Sequence, residues 1–176
     1  EGVHTYTVTV TDGAGNVGTD SVTYTVDDTA PVVTILSPLD GHYYKSVNVP
    51  VAGDFTVFDT NPYTTVEAGW SIAEGVHTYT VTATDSAGNV GTASVTYTVD
   101  DTAPVVMITS PSDGAYYKSV NVPAAAYGVV DTNPCTVVEV GYSTVEGVHT
   151  YTVTVTDGAG NVGTASVTYT VDDTAP

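Results

Sequence analysis

The sequence predicts an all-β protein of antiparallel β-sandwich modules in a linear array, and three observations carry that prediction. First, phrases return at a fixed interval. "EGVHTYT" begins at Glu1, Glu74 and Glu146, and "VDDTAP" begins at Val26, Val99 and Val171. A period of 73 and then 72 residues with matched signatures marks a chain of like units. Second, long stretches alternate strictly between apolar and hydroxyl side chains. Third, Gly, Asn, Asp and Pro interrupt these stretches every eight to twelve residues or so, while no window shows helical periodicity.

The elements follow in order from one period. "HTYTVTATD" (His77–Asp85) sends His77, Tyr79, Val81 and Ala83 one way and Thr78, Thr80, Thr82 and Thr84 the other. This is the period of a strand with one face buried and one wet. "SAGNVG" supplies turn-prone residues, and "ASVTYTVD" repeats the alternation with Val95, Tyr97 and Val99 inward. The two strands make an antiparallel hairpin. "PVVTILSP" (Pro31–Pro38) reads as a short apolar strand bounded by prolines, suited to a sheet edge. "LDGHYY" reads as a turn, "SVNVPVAGDFTVFD" as one or two strands, and "DTNP" as a turn leading into "YTTVEAGWS". A hairpin cannot bury its face alone, so the closing strands must pack on those before them.

Composition narrows the function. Two Lys and no Arg stand against twenty acidic residues, a formal charge of −18 in 176 residues. Nucleic acid is excluded as a partner, because phosphate binding depends on basic side chains displacing counterions. An anionic membrane surface is disfavoured for the same reason. An excess of carboxylates suits hard cations such as calcium, or a saline medium. No apolar stretch reaches the length of a membrane-spanning helix. Without an initiator Met or a signal peptide, the chain reads as a slice of a longer polypeptide. A lone Cys rules out a disulfide framework.

The stretch "EGVHTYTVTATDSAGNVGTASVTYTVDDTAP" resembles the closing strands and linker of Ig-like repeats in bacterial and archaeal surface proteins of the giant-adhesin, stalk or filament type. The resemblance covers nearly the whole chain and rests on "TDxAGN" followed by "VDDTAP". It implies tandem Ig-like sandwiches at the cell surface. In that family a module starts after "DDTAP". Residues 1–27 are then the closing hairpin of a preceding module, 28–100 and 101–173 two complete modules, and 174–176 the start of the next. The other phase opens each domain at "EGVHTYT"; the acidic, Pro-bearing "DDTAP" favours the first. Tyr79, two residues before Val81, resembles the tyrosine corner of such folds. The "DFTVFD" region fits less well: "VPVAGDFTVFD" becomes "VPAAAYGVVD" around "AYGVVD" in the next copy, a residue shorter.

The Ig-like arrangement also implies a site. The incoming linker meets the pole that carries two loops, which brings Asp27 and Asp28 towards Asp59, Asn61, Asp85 and Asn89. The next junction gathers Asp100, Asp101, Asp131, Asn133, Asp157 and Asn161. Carboxylates from three segments suit calcium, which takes six to eight oxygens or so. The competing reading is that Asp and Asn make turns and caps on a solvated surface. His4, His77 and His149 begin an inward strand face and read as packing. No nucleophile or carboxylate stands at triad or dyad spacing with them, so no enzyme is expected. Lys45 and Lys118 recur in "YYKSVNVP", read as solvated lysines or, alternatively, as isopeptide donors. Cys135 replaces Tyr63 and reads as a small strand residue. The outward Thr rows are acceptors for O-glycans if the chain is extracellular.

The function expected is structural: an extracellular stalk, fibre or filament whose partners are copies of itself, head to tail or side by side, with surface glycans as a further class. The alternative is an adhesin repeat that grips carbohydrate or a host protein. Adhesive modules differ at one loop pole, whereas these copies are nearly identical there. Trp70 against Tyr142 is the one aromatic difference suggestive of a sugar platform. Finally, residues 1–27 should form the same hairpin as 74–100, with Tyr6, Val8, Val10, Val22, Tyr24 and Val26 on a face that only an assembled filament or another chain covers.

Overall fold

The structure, a computed structural model, describes residues 1–50 and 53–176. Val51 and Ala52, within a stretch read from sequence as strand, lie outside the described residues. Fourteen strands form among the described residues. A hairpin of β1 (Gly2–Thr11) and β2 (Val17–Val26) comes first. Then one strand order occurs twice. The first instance is β3 (Val32–Ser37), β4 (Tyr43–Tyr44), β5 (Asp54–Phe58), β6 (Tyr63–Ala68), β7 (Gly75–Asp85) and β8 (Val90–Val99). The second is β9 (Val105–Ser110), β10 (Tyr116–Tyr117), β11 (Ala126–Val130), β12 (Cys135–Val140), β13 (Gly147–Asp157) and β14 (Val162–Val171). The sheets run β4-β8-β7-β6 with β3-β5, and β10-β14-β13-β12 with β11-β9. Chain contacts gather the protein into two compact units: residues 1–39, 50–70 and 78–95, and residues 40–49, 71–77 and 96–176.

The second unit shows how the two sheets close on each other. Tyr151, Val153 and Val155 of β13, with Tyr169 and Val171 of β14, are fully buried. Val106 and Ile108 of β9, and Tyr127 and Val129 of β11, pack against them. Alternation decides this, since period two puts every second residue on the same face. Each buried Val contributes roughly 1.5–3 kcal/mol through removal from water. The other face of the same strands carries hydroxyls in cross-strand pairs, such as Thr150 with Thr168 at 3.2 Å and Thr152 with Ser166 at 3.0 Å. In the preceding copy Tyr79, Val81, Tyr97 and Val99 are likewise buried, and Val95 is half-buried.

Linker and sandwich meet through a glycine. A Cβ on Gly163 would lie 1.9 Å from the Pro104 carbonyl oxygen, and one on Gly91 would lie 1.8 Å from that of Pro31. The chain entering each copy thus passes directly against its last strand, which only Gly permits.

Three details depart from the sequence reading. Tyr43–Tyr44 and Tyr116–Tyr117 are not turn but short strands, paired in parallel with the ends of β8 and β14. The partner strand imposes this, because two residues carry no periodicity of their own. Ser46–Asn48 and Ser119–Asn121 are 3₁₀ turns, not strand. Lastly, Tyr79 makes no tyrosine corner. Its hydroxyl donates to Glu67 Oε2 at 2.6 Å, since β6 runs alongside β7 and sets Glu67 opposite Val81. The backbone clamp belongs to Tyr97, whose hydroxyl accepts the Ser71 N–H at 2.8 Å and donates to the Ser71 carbonyl at 2.7 Å. Tyr169 repeats it on Ser143 at 2.7 Å in both directions.

Candidate metal centres

Each site is assembled from a linker, a loop and a hairpin turn. The turn comes first, because it forms without help. In "TDGAGN" of β1–β2, Asp12 Oδ1 accepts the N–H groups of Ala14 and Asn16 at 2.8 Å, and its Oδ2 accepts the Asn16 amide at 2.7 Å. These bonds hold the Asp12 carboxyl below the usual range, the Asn16 amide being the largest cause. Asp85 and Asp157 repeat the arrangement with Asn89 and Asn161. There the spare hydrogen of the Asn amide reaches the linker, donating to the Asp27 and Asp100 carbonyls at 2.9 Å. The loop "DTNP" closes the arrangement. Asn61 donates its backbone N–H to Asp59 at 2.7 Å and its side-chain amide to Asp27 Oδ2 at 2.6 Å. Asn133 does the same with Asp131 at 2.7 Å and Asp100 Oδ2 at 2.5 Å.

The outcome is two triads of carboxylates, Asp27–Asp59–Asp85 and Asp100–Asp131–Asp157, each offering oxygens within 4.8 Å of one another. Oxygens held at roughly 2.3–2.6 Å from one calcium ion lie at most about 5 Å apart, so this donor set fits such an ion. Carboxylate oxygens are also the right chemistry for a hard cation. Asp100 is nearly fully buried. Burial pushes its carboxyl above the ordinary value, against the Thr102 N–H and the Asn133 amide, and the charge of Asp157 adds to the rise. Burial acts upward on Asp85 and Asp157 too, but the Asn amides and backbone N–H groups outweigh it and both end below the ordinary value.

Of the residues expected at these sites, Asp28 and Asp101 lie outside the triads. The Asp101 carboxylate accepts the Ser46 N–H at 2.9 Å, at the start of a 3₁₀ turn, and Asp173 accepts that of Ser119 at 3.0 Å. Asp28 is exposed, and its N–H donates to Glu1 Oε1 at 3.2 Å. Adjacent acids in "DD" thus face different partners. Asn61, Asn89, Asn133 and Asn161 turn their amide hydrogens, not their oxygens, towards the acids, and act as braces.

Sequence reasoning missed Glu74 and Glu146. Glu74 accepts the Asp101 N–H at 2.9 Å and the Thr102 hydroxyl at 3.2 Å; Glu146 accepts the Asp173 N–H at 3.0 Å and the Thr174 hydroxyl at 2.9 Å. The signal was the Glu that opens each "EGVHTYT" at a constant distance from each "DDT". Cys135 borders the second triad. Burial, then the charges of Asp131, Asp157 and Asp100, push its thiol up, which keeps it protonated and unreactive. His77 packs, bonding the Ala73 carbonyl at 2.6 Å and lying 5.6 Å from the Tyr97 ring, whereas His4 is exposed beside Tyr24. Trp70 and Tyr142 share a single role. The Trp70 indole N–H donates to the Pro50 carbonyl at 3.0 Å and the Tyr142 hydroxyl to that of Pro123 at 3.1 Å.

No family model and no curated protein matches the chain. Among solved structures, it is similar to the fibronectin(III)-like modules of Clostridium thermocellum CbhA, with 18% identity and a TM-score of 0.43 over 80% of this chain and 94% of that one. The extracellular domain of protocadherin GammaB4 matches at 11% identity and a TM-score of 0.37; the match covers 96% of this chain and 38% of that one. Drosophila N-cadherin EC1-4 matches at 12% identity and 0.30, over 98% and 59%.

Proposed function

We propose that the chain is a segment of an extracellular structural protein, a stalk, fibre or filament of serial Ig-like modules at 28–100 and 101–173, whose linkers are fixed by calcium. One observation carries this reading. Each triad takes one carboxylate from the incoming linker, one from the "DTNP" loop and one from the hairpin turn of the following copy, within reach of a single ion. An ion there neutralises carboxylates that otherwise repel, and ties linker to loops. Asp27 and Asp100 supply the linker oxygen, Asp59 and Asp131 the loop oxygen, and Asp85 and Asp157 the turn oxygen. The ion's contribution is charge and coordination alone, and no chemistry is transferred. Among the described residues no helix is long and apolar enough to cross a membrane.

Thermal melting in calcium and in chelator tests this. Calcium should raise Tm by a ligand-linked increment that grows with its concentration. Asp59→Asn together with Asp131→Asn should abolish the increment while changing Tm in chelator far less. A Tm indifferent to calcium would sink the calcium part of the proposal, and a single monomeric rod at every concentration would sink assembly into filaments.

A further inference from the structure

The turn at 157–160 faces two ways, and everything that it meets lies inside the second compact unit. On one side Asp157 enters its triad. On the other the turn lies against β4 of the preceding copy. A Cβ on Gly158 would sit 3.1 Å from both Cγ and Cδ2 of Tyr43. A cleft of about 390 Å³ opens beside this contact, with Tyr43, Lys45 and Asn48 on one wall and Asp157 and Gly160 on the other. Tyr43 is half-buried, whereas its counterpart Tyr116 is 78% exposed. Both tyrosines pair with the last strand of their own copy in the same way, so the cover over Tyr43 comes from the turn.

The linker is held between the same two pieces. The Asp100 N–H donates to the Tyr44 carbonyl at 2.8 Å, and the Asp101 carboxylate accepts the Ser46 N–H at 2.9 Å. From the other side the Asn161 amide donates to the Asp100 carbonyl at 2.9 Å. None of these bonds involves an ion.

We propose that the 157–160 turn is a bearing surface for the preceding copy, that Tyr43 rests on it, and that Gly158 is the residue that admits the ring. The contact couples the stability of successive copies without any ion, as nearest-neighbour interfaces do in repeat arrays. The proposal rests on the modular reading above, and the bearing acts beside the triad. The turn itself does not call for glycine at this place. Ser86 fills it in the first copy, within the same set of bonds to the turn aspartate. Ser86 directs its hydroxyl to its own loop, donating to the Pro62 carbonyl at 2.8 Å. At 158 a side chain would share its space with the Tyr43 ring, where close packing leaves no room for an added group. Gly or Ser after the turn aspartate thus sets how firmly a copy takes the one before it. Gly13, at the same place in the β1–β2 hairpin, has nothing within 4 Å of an added Cβ and provides a matched control.

The test is amide exchange and NMR on the 1–176 chain, held in chelator so that the result is independent of calcium. The natural chain should show nuclear Overhauser contacts between the Tyr43 ring and the Gly158 α-protons. Exchange of the Asp100 amide, bonded to Tyr44, reports local opening of the joint. Tyr43→Ala should speed it about tenfold and Gly158→Ser about threefold, while Gly13→Ser leaves it unchanged. Ser86 shows that the turn accepts serine, so Gly158→Ser keeps its fold. The double variant should exchange no faster than Tyr43→Ala alone, because the two residues share one contact. Multiplying effects in the double variant would mean that Tyr43 merely supports its own strand, and would overturn the proposal. Absence of the ring contacts, or an Asp100 amide indifferent to Gly158→Ser, would do the same. A Tm indifferent to calcium together with the expected exchange pattern would remove the ion and leave the bearing.

Discussion

Tyr169 shows how one hydroxyl closes a loop on a core. The ring is buried, and its oxygen serves both the N–H and the carbonyl of Ser143. Tyr169→Phe removes both bonds and keeps the ring, so it should cost about 1–3 kcal/mol in urea unfolding, because the Ser143 backbone loses its partners. Tyr24→Phe, on an exposed ring, should change stability by less than about 0.5 kcal/mol. The triads make a second prediction at this scale. Asp157 lies below its ordinary value, so it contributes stability that is present above the unfolded pKa and lost as pH falls through the folded one. Asp100 lies above its ordinary value, so its ionisation subtracts stability as pH rises from the unfolded to the folded pKa. In chelator, Tm should therefore decline on the acid side of about pH 4, a limb that Asp157→Asn flattens. Asp100→Asn should flatten the loss on the other side. A profile of Tm against pH for the three proteins checks both signs.

Strands and turns respond differently to the same kind of change. Gly163→Ala sets a methyl carbon against the Pro104 carbonyl, where the added atom would sit 1.9 Å from oxygen. Entry into β9 would have to shift, and destabilisation on the order of 2 kcal/mol or more is expected by denaturant titration. Gly18→Ala, at the same place in β1–β2, meets nothing within 4 Å and should cost much less. The contrast also shows which elements the sequence disclosed. β7, β8, β13 and β14 were legible because ten or eleven residues of strict alternation leave one reading. β4 and β10 were not, because two residues become strand only when a neighbour pairs with them. The triads were half legible. Asp27, Asp59 and Asp85 followed from the expected order of loops, but nothing in "DD" tells which acid turns towards the triad and which towards Ser46. That choice depends on the direction in which the backbone leaves β8, a property of the folded linker. The clamp by Glu74 was hidden because its Glu and its Thr are 28 residues apart, and only the folded hairpin brings them together.

The whole molecule carries a formal charge of −18, so its folded form repels itself. In chelator, stability should rise steadily with sodium chloride as screening shortens the reach of that repulsion. With calcium at constant ionic strength the gain should instead saturate, and calorimetry should count two ions per chain if both triads fill. The short parallel pair of β10 with β14 gives the molecule a further property. The Gly114 N–H donates to the Thr168 carbonyl at 2.7 Å, the Thr170 N–H to that of Ala115 at 2.9 Å, and the Asp172 N–H to that of Tyr117 at 2.9 Å. One of these strands follows the entry of the chain into the copy, and the other immediately precedes its exit. Tension applied at the two ends pulls parallel neighbours in opposite directions, and loads all three bonds in shear at the same moment. An antiparallel hairpin pulled at its open end would yield one bond at a time, like a zip. A patch of only two residues on each strand thus has the geometry of a mechanical clamp.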